Sequence, residues 1–204
     1  YYNDLKGLVH KLTFKDVQEP LQKLRGNLYT AMFDSSKDIG YEDLIVPLEE
    51  IQSILIEKYQ SLYLKDLEKF IDKVKIFKVH FATIDIRQDH SMHTKVMVEV
   101  LKKNGFINDE LSELSDEELL DILLHKNLNL VADDYEEDIV KDTIKNILQL
   151  QTIQAKNGEE GCNRYIISNS EDKYSILFVY ALFRWCGWAD KEITFDIVPL
   201  FETM

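Results

Sequence analysis

The feature that most constrains the fold is residues 79–94, where an apolar run is followed at once by a cluster of charged side chains. The first half is rich in β-branched residues and predicts a strand over residues 79–86 that is buried on both faces. Charges follow at Arg87 and Asp89, and an amphipathic helix is expected from about residue 93. Charged side chains are costly to bury, and α/β proteins bind ligands where strands end and helices begin. This junction is therefore the first candidate for a functional site.

The remaining pattern predicts a helical part followed by alternating strands and helices. Two further strands are expected over residues 163–168 and 194–201. Helices are expected over residues 4–33, 41–63, 64–74, 93–104, 115–124, 134–155 and 172–186. Strands separated by helices imply a parallel sheet with right-handed crossovers, although three strands are too few to close a barrel. We expect a mostly helical α/β fold with a helical segment over residues 1–75.

Charge and cysteine content exclude several classes of protein. The 204 residues contain 24 Lys and Arg against 37 Asp and Glu, a net charge of −13, which argues against a nucleic-acid or anionic-membrane surface. No apolar run reaches the roughly 18 to 20 residues that a membrane span needs. Cys162 and Cys186 are far apart in sequence, so neither a disulfide framework nor a zinc site is indicated. The first residues lack a signal-peptide pattern, and we expect a cytoplasmic protein. Because the chain does not begin with Met, we also expect a piece of a longer protein.

Each predicted strand is followed or closed by a polar residue: Arg87, Ser168 and Glu202. The carboxyl ends of parallel strands face one rim, where functional residues gather. A guanidinium there suits a phosphate or carboxylate, although Arg87 could instead pair structurally with Asp85 or Asp89. A carboxylate suits Mg²⁺, although Glu202 could be an ordinary surface residue. Ser168 lacks the G-x-S-x-G surroundings of a nucleophile and is interpreted as a turn residue.

Other constellations are weaker. His90 and His93 lie three positions apart but have no third metal ligand nearby in sequence, so we interpret His93 as a residue of the helix start that supports the site. Glycine-rich phosphate loops are absent from the sequence. The acidic clusters over residues 109–118 and 133–138 are interpreted as solvated surfaces. Within the first of them, Ser115 and Glu118 form a capping box that predicts the start of a helix.

Several segments together resemble the phosphoenolpyruvate carboxylase family. Ile84-Asp-Ile-Arg-Gln88, followed by His93-Thr94, resembles the family segment IDIRQ-(E/D)-S-x-R-H-T. The other similar segments, in family order, are Leu24-Arg-Gly-Asn-Leu28, Val74-Lys-Ile-Phe77, Arg164-Tyr-Ile-Ile-Ser168 and Ile197-Val-Pro-Leu-Phe-Glu-Thr203. They extend over nearly the whole chain, and their spacing is close to that of the family apart from a small insertion between Arg87 and Glu202. The chain is thus identified as resembling an internal fragment of a divergent bacterial-type member.

The resemblance implies a fold, a reaction and two site residues. The fold is a mostly helical protein around an eight-stranded β/α (TIM-type) barrel, of which residues 76–204 would be a partial segment with about three parallel strands. Both parts would then belong to one larger catalytic domain. The reaction, that of a carbon–carbon lyase, joins bicarbonate to phosphoenolpyruvate with Mg²⁺ or Mn²⁺ and gives oxaloacetate and phosphate, an anaplerotic supply to the tricarboxylic acid cycle. Arg87 would bind the substrate phosphate and Glu202 the metal, while Gln88, His93 and Ser168 would support them; the parent would be a homotetramer.

This chain also departs from the family pattern. Met92 stands where the family has Arg before its His, Asn169 where Met commonly follows the strand serine, and Tyr174-Ser-Ile176 where Ser-Asp-Val is common. The resemblance further implies that the catalytic histidine, the second metal carboxylate and the glycine- and arginine-rich loops lie outside this chain. We therefore expect these 204 residues alone to be inactive. Two alternatives remain at this point: a non-catalytic helical interaction module derived from such a barrel, and another Mg²⁺-dependent β/α-barrel enzyme of the phosphoenolpyruvate type.

Overall fold

Helices make up most of the chain, and three short strands form one sheet. The computed structural model describes residues 1–34 and 36–202. The elements are α1 (Tyr2–Lys11), α2 (Lys15–Phe33), α3 (Tyr41–Lys58), α4 (Leu64–Phe77), β1 (Asp85–Asp89), α5 (His90–Lys103), α6 (Asp116–His125), α7 (Asp138–Asn157), β2 (Arg164–Ser168), α8 (Lys173–Trp185) and β3 (Asp196–Pro199). None of the helices in the described ranges is long and apolar enough to cross a membrane.

The chain divides into two compact units, each with its own apolar core. One consists of Tyr1–Ala82 with Lys156–Gly158, and the other of Thr83–Ala155 with the residues from Glu159 onward. In the first unit, α1 to α4 bury their apolar faces against one another. These faces follow from helical spacing, as in α3, where Leu44, Leu48 and Leu55 are fully buried. The expected division at residue 75, and the membership of both parts in one larger catalytic domain, stay predictions.

The core of the second unit lies between the sheet and its helices. Tyr165 and Ile167 of β2 are buried in the same cluster as Phe183 and Trp185 of α8. The ring of Tyr165 meets that of Phe183 edge to face, with 5.7 Å between their centroids. Aromatic side chains of this size bury much apolar surface in one contact, so this cluster holds β2 against α8.

The sheet is parallel, with the strand order β1-β2-β3. Arg87 lies beside Ile166, which lies beside Val198. The prediction of a mostly helical chain with a small parallel sheet is confirmed. A closed barrel is not formed by the described residues, which give an open three-stranded sheet.

Successive side chains of a strand point to opposite faces, and the two faces of this sheet differ in character. The face that carries Ile86, Tyr165 and Ile197 contacts the apolar core. The other face carries charged residues at Asp85 and Arg87 and is largely exposed. The sheet is thus apolar toward the helices and polar on its second face.

The prediction of a strand over residues 79–86, buried on both faces, is wrong. β1 begins at Asp85, and Phe81 and Ile84 are 57% and 62% exposed. Phe81 has a φ of 61° and donates its backbone N–H to Phe77 O at 2.8 Å, so this segment turns after α4 and does not extend into the sheet. Apolar composition cannot distinguish such a turn from a strand, because a strand also requires a partner strand, which composition does not specify.

The predicted strand ends also need correction. Arg87 is the middle residue of β1, which continues to Asp89, and α5 begins at His90 instead of residue 93. β3 runs only over Asp196–Pro199, so Glu202 lies three positions beyond its end. Ser168 is the last residue of β2, as predicted.

Candidate functional site at the carboxyl edge of the sheet

Arg87 and Glu202 meet at the carboxyl edge of the sheet although they are 115 positions apart in sequence. Arg87 Nη2 donates a hydrogen bond to Glu202 Oε1 at 3.2 Å. Both side chains are largely exposed, at 58% and 45%. An exposed ion pair of this kind is weak, so either group can exchange its partner for another ion.

Each of the two residues is held there by local structure. Alternation along β1 directs Arg87 to the sheet face opposite the helices. Leu200 N donates to Ile167 O at 2.9 Å, which keeps the chain beside β2 after β3 ends and brings Glu202 to the edge. The guanidinium therefore holds an oxyanion, the carboxylate of Glu202, at the exposed carboxyl edge of the sheet.

A second arginine on the same sheet face makes a comparable ion pair at the opposite end of the strands. Arg164 Nε lies 3.3 Å from Asp85 Oδ1, and the side chains are 49% and 37% exposed. Asp85 is thus the partner of Arg164 and not of Arg87, so the alternative pairing of Arg87 with Asp85 is wrong. Arg87 and Arg164 thus make ion pairs of similar exposure at opposite ends of one sheet face, so a substitution of Arg164 can serve as the control for one of Arg87.

Asp89 joins the end of β1 to the start of α5 and to the turn after β2. Its Oδ1 accepts from Ser91 N at 2.8 Å, which makes it the N-cap of α5. Its Oδ2 accepts from Asn169 Nδ2 at 2.7 Å. The hydrogen bonds from Ser91, followed by that from Asn169, lower the pKa of Asp89 to about 2, so the carboxylate is ionised at neutral pH.

The turn after β2 is tied to both neighbouring strands. Asn169 has a φ of 51°, a left-handed conformation that Asn tolerates better than most residues. Ser170 N donates to Leu200 O at 2.9 Å, and Ser170 Oγ donates to Ile167 O at 3.0 Å. Ser168 lies beside Asp89 in the register, at the last pair of the β1–β2 ladder.

His93 is a buried residue of the first turns of α5. Its side chain is fully buried, and Nε2 lies 3.0 Å from Tyr165 Oη. Burial, assisted by the neighbouring His90, lowers its pKa to about 4, so the imidazole is neutral at neutral pH. Nδ1 has no hydrogen-bond partner among the described residues. His93 therefore faces the helix layer and not the face that carries Arg87.

Two further residues were named as candidates in the sequence: Gln88 as a supporting residue of the site and His90 as a weak candidate for a metal ligand. Gln88 alternates with Arg87 and points to the helix side, where its Oε1 accepts from Asp89 N at 3.3 Å. His90 Nε2 lies 3.4 Å from Thr94 Oγ1. Of the five predicted site residues, the structure thus brings together Arg87 and Glu202, keeps Ser168 at the same edge, and directs Gln88 and His93 to the other face.

The described residues do not by themselves form a magnesium site. In the ranges that the structure covers, there is no group of three or more His, Cys, Asp or Glu side chains arranged to hold a metal ion. Glu202 offers one carboxylate, which is engaged by Arg87, and both oxygens of Asp89 accept hydrogen bonds from the protein. Mg²⁺ prefers six oxygen ligands and takes one or two carboxylates from a protein, so further ligands would have to be supplied.

Two contacts of the site were not predicted from the sequence. Asp89 directly precedes a helix, which is the usual position of an N-cap, and this signal was available. Asn169 follows a strand and is a common left-handed turn residue, but nothing in the sequence specifies that its amide contacts Asp89.

Comparisons with known proteins show the family of the chain. The family model described as phosphoenolpyruvate carboxylase matches residues 6–204. A phosphoenolpyruvate carboxylase of Synechocystis sp. is 28% identical over 170 residues, which cover 80% of this chain and 16% of that protein. One of Gloeobacter violaceus is 31% identical over 147 residues, which cover 69% of this chain and 16% of that protein. The chain thus spans about one sixth of the length of these relatives, and the match over nearly all its residues shows that it belongs to the phosphoenolpyruvate carboxylase family.

Proposed function

We propose that this chain is part of an enzyme that carboxylates phosphoenolpyruvate with bicarbonate. The P–O ester bond of phosphoenolpyruvate breaks and leaves an enolate, while one oxygen of bicarbonate bonds to phosphorus. The C–O bond to that oxygen then breaks as the enolate carbon bonds to the bicarbonate carbon, so that oxaloacetate and inorganic phosphate are formed. Atoms and charge balance without an oxidant or a reductant. Membership of the family supports this reaction, and the reaction would supply oxaloacetate as an anaplerotic carbon fixation.

In this proposal Arg87 binds the phosphate of the substrate. The observation that carries it is the ion pair with Glu202, in which the guanidinium already donates to an oxyanion at the exposed edge of the sheet. A phosphate dianion carries more charge than a carboxylate and accepts two parallel hydrogen bonds from an arginine. It can therefore replace Glu202 as the partner of Arg87, and Glu202 is then released.

The released carboxylate of Glu202 would be one ligand of Mg²⁺ or Mn²⁺, and the other ligands would come from outside the described residues. Ser168, beside Asp89 at the same edge, is proposed as a supporting residue. A homotetrameric assembly and a cytoplasmic location are parts of the same proposal. The burial of Cys162 and Cys186 as free thiols is consistent with a reducing compartment.

The test is replacement of Arg87 in the complete gene product, measured by oxaloacetate formation coupled to reduction by malate dehydrogenase. Arg87→Gln removes the charge and the guanidinium fork, and we expect KM for phosphoenolpyruvate to rise about tenfold to a hundredfold, the usual range for a hydrogen bond to a charged group. The Arg164→Gln variant is the matched control, since Arg164 makes an ion pair of similar exposure at the other end of the same strands.

The outcomes separate the alternatives. A rise in KM with Arg87→Gln and an unchanged KM with Arg164→Gln would support the phosphate site. Equal effects of both variants would contradict it and indicate a general role of surface charge. No oxaloacetate from the unmodified gene product would contradict the proposed reaction, and would favour the non-catalytic module or a different Mg²⁺-dependent enzyme.

A further inference from the structure

The turn after β2 contacts the segments that carry both candidate site residues. On one side, the Asn169 amide reaches Asp89, two positions after Arg87. On the other side, Ser170 N donates to Leu200 O, two positions before Glu202. Two successive residues of this turn, Asn169 and Ser170, are therefore bonded to the end of β1 and to the segment after β3.

The two bonds differ in kind. The bond to Leu200 joins backbone atoms and can form with almost any residue at position 170. The bond to Asp89 joins two side chains, at 2.7 Å, and depends on the identity of Asn169. It also extends the β1–β2 ladder past its last backbone pair, Asp89 with Ser168. Beyond that pair, the hydrogen bond from the Asn169 amide is the side-chain contact described between the end of β1 and the turn.

The backbone of Asn169 makes this contact possible. Its φ of 51° lies in the left-handed region, where Gly and Asn are tolerated and most other residues are strained. An asparagine at this position therefore combines a conformation that the turn needs with a donor that Asp89 accepts. Asp89 is simultaneously fixed by Ser91 N of α5, so the contact ties the turn to a rigid helix start.

We propose that Asn169 is a positioning residue that sets the separation of Arg87 and Glu202. It acts through Asp89 on the strand that carries Arg87, while Ser170 holds the segment that carries Glu202. This inference rests on the proposed function, because the separation matters only if both residues act on one substrate. Small displacements of a binding group are known to reduce catalytic efficiency by large factors.

The main experiment uses three variants of the complete gene product: Asn169→Gly, Asn169→Asp and the exchange Asp89→Asn with Asn169→Asp. Asn169→Gly keeps the left-handed backbone and removes the amide. Asn169→Asp sets two carboxylates at hydrogen-bond distance, where they repel. The exchange restores one amide and one carboxylate, and an asparagine at position 89 can still cap α5.

We expect KM for phosphoenolpyruvate to rise about tenfold in Asn169→Gly and more in Asn169→Asp, with kcat less affected. The exchange should return KM to within about threefold of the unmodified enzyme, the usual sign that two residues act as a pair. An unchanged KM in Asn169→Gly, or a failure of the exchange to restore it in a folded protein, would overturn the proposal. A purely structural role would lower the unfolding temperature and leave the KM of the folded protein unchanged.

A second measurement does not depend on activity. Spin labels attached at positions 87 and 202 report the distance between the two segments, and the two cysteines within these 204 residues, Cys162 and Cys186, are buried, which favours selective labelling over them. Asn169→Gly should broaden the distance distribution, and an unaltered distribution would refute the positioning role. If the distribution broadens while the unmodified gene product forms no oxaloacetate, the positioning contact stands and the proposed reaction fails.

Discussion

His93 illustrates how burial decides the chemistry of a single residue. Its imidazole is enclosed by the core and contacts Tyr165 Oη, while its neighbours on the same helix and strand end, His90 and Asp89, act on it in opposite directions. Loss of hydration dominates, so the neutral form is favoured and the pKa falls to about 4. A residue expected to support the site therefore serves to join α5 to β2.

The stability of the chain should depend on His93 in acid. The unfolded chain takes up this proton near pH 6.5 and the folded chain only near pH 4. The stabilisation is therefore complete above pH 6.5 and is lost as the pH falls toward 4, by about 3 kcal/mol. In His93→Gln the free energy of unfolding, measured by urea denaturation at each pH, should decline less over this interval. Equal slopes for His93→Gln and the unmodified chain would contradict the prediction.

At this scale the chemistry of single residues was partly predictable. The position of Arg87 and Glu202 at one edge followed from the rule that parallel strands end on the same side, although their ion pair was not predicted. The contact between Asp89 and Asn169 did not, because it depends on a left-handed turn and on the register of two strands that are distant in sequence. Side-chain partners across strands are fixed by register, which composition alone does not specify.

At the scale of elements, α6 begins where local sequence specifies it. Ser115 Oγ accepts from Glu118 N at 3.3 Å, and Glu118 Oε2 accepts from Ser115 N at 2.9 Å, which confirms the predicted capping box. The start of β1 was not predicted, because residues 79–84 have the composition of a strand and the conformation of a turn. Elements defined by local hydrogen bonds can be predicted from sequence, whereas strands depend on distant partners.

Removal of this cap should destabilise the second unit. Ser115→Ala leaves Glu118 N without its side-chain acceptor, and we expect a loss of about 1 kcal/mol in the free energy of unfolding. The measurement is chemical denaturation followed by circular dichroism. Ser112→Ala is the control, since Ser112 Oγ donates only to the exposed carboxylate of Glu110, and it should change stability by less than about 0.5 kcal/mol. Equal losses in both variants would mean that the capping box does not stabilise α6.

At the scale of the whole molecule, the sheet has one polar face and an incomplete set of neighbours. Among the residues that the structure describes, β1 and β3 each pair with β2 and with no other strand. The prediction of a parallel sheet was possible because the order of strands and helices implies it. The number of strands was also predicted, since the sequence indicates three and the described residues form three, which are too few to close a barrel. The membership of this sheet in a larger barrel stays a prediction.

We expect the 204 residues alone to form no oxaloacetate. At the carboxyl edge of the sheet the described residues offer Arg87, which is paired with Glu202, and Asp89, whose two oxygens already accept hydrogen bonds from the protein. The proposed reaction must also activate bicarbonate and stabilise the charge that develops on phosphate release. Binding the phosphate without these groups lowers the energy of the substrate as much as that of the transition state, and so gives no acceleration. The measurement is oxaloacetate formation by the purified chain beside the complete gene product at equal molar concentration. Turnover by the 204 residues would show that they contain a catalytic set, and its residues would then have to be sought on the polar face of the sheet around Arg87.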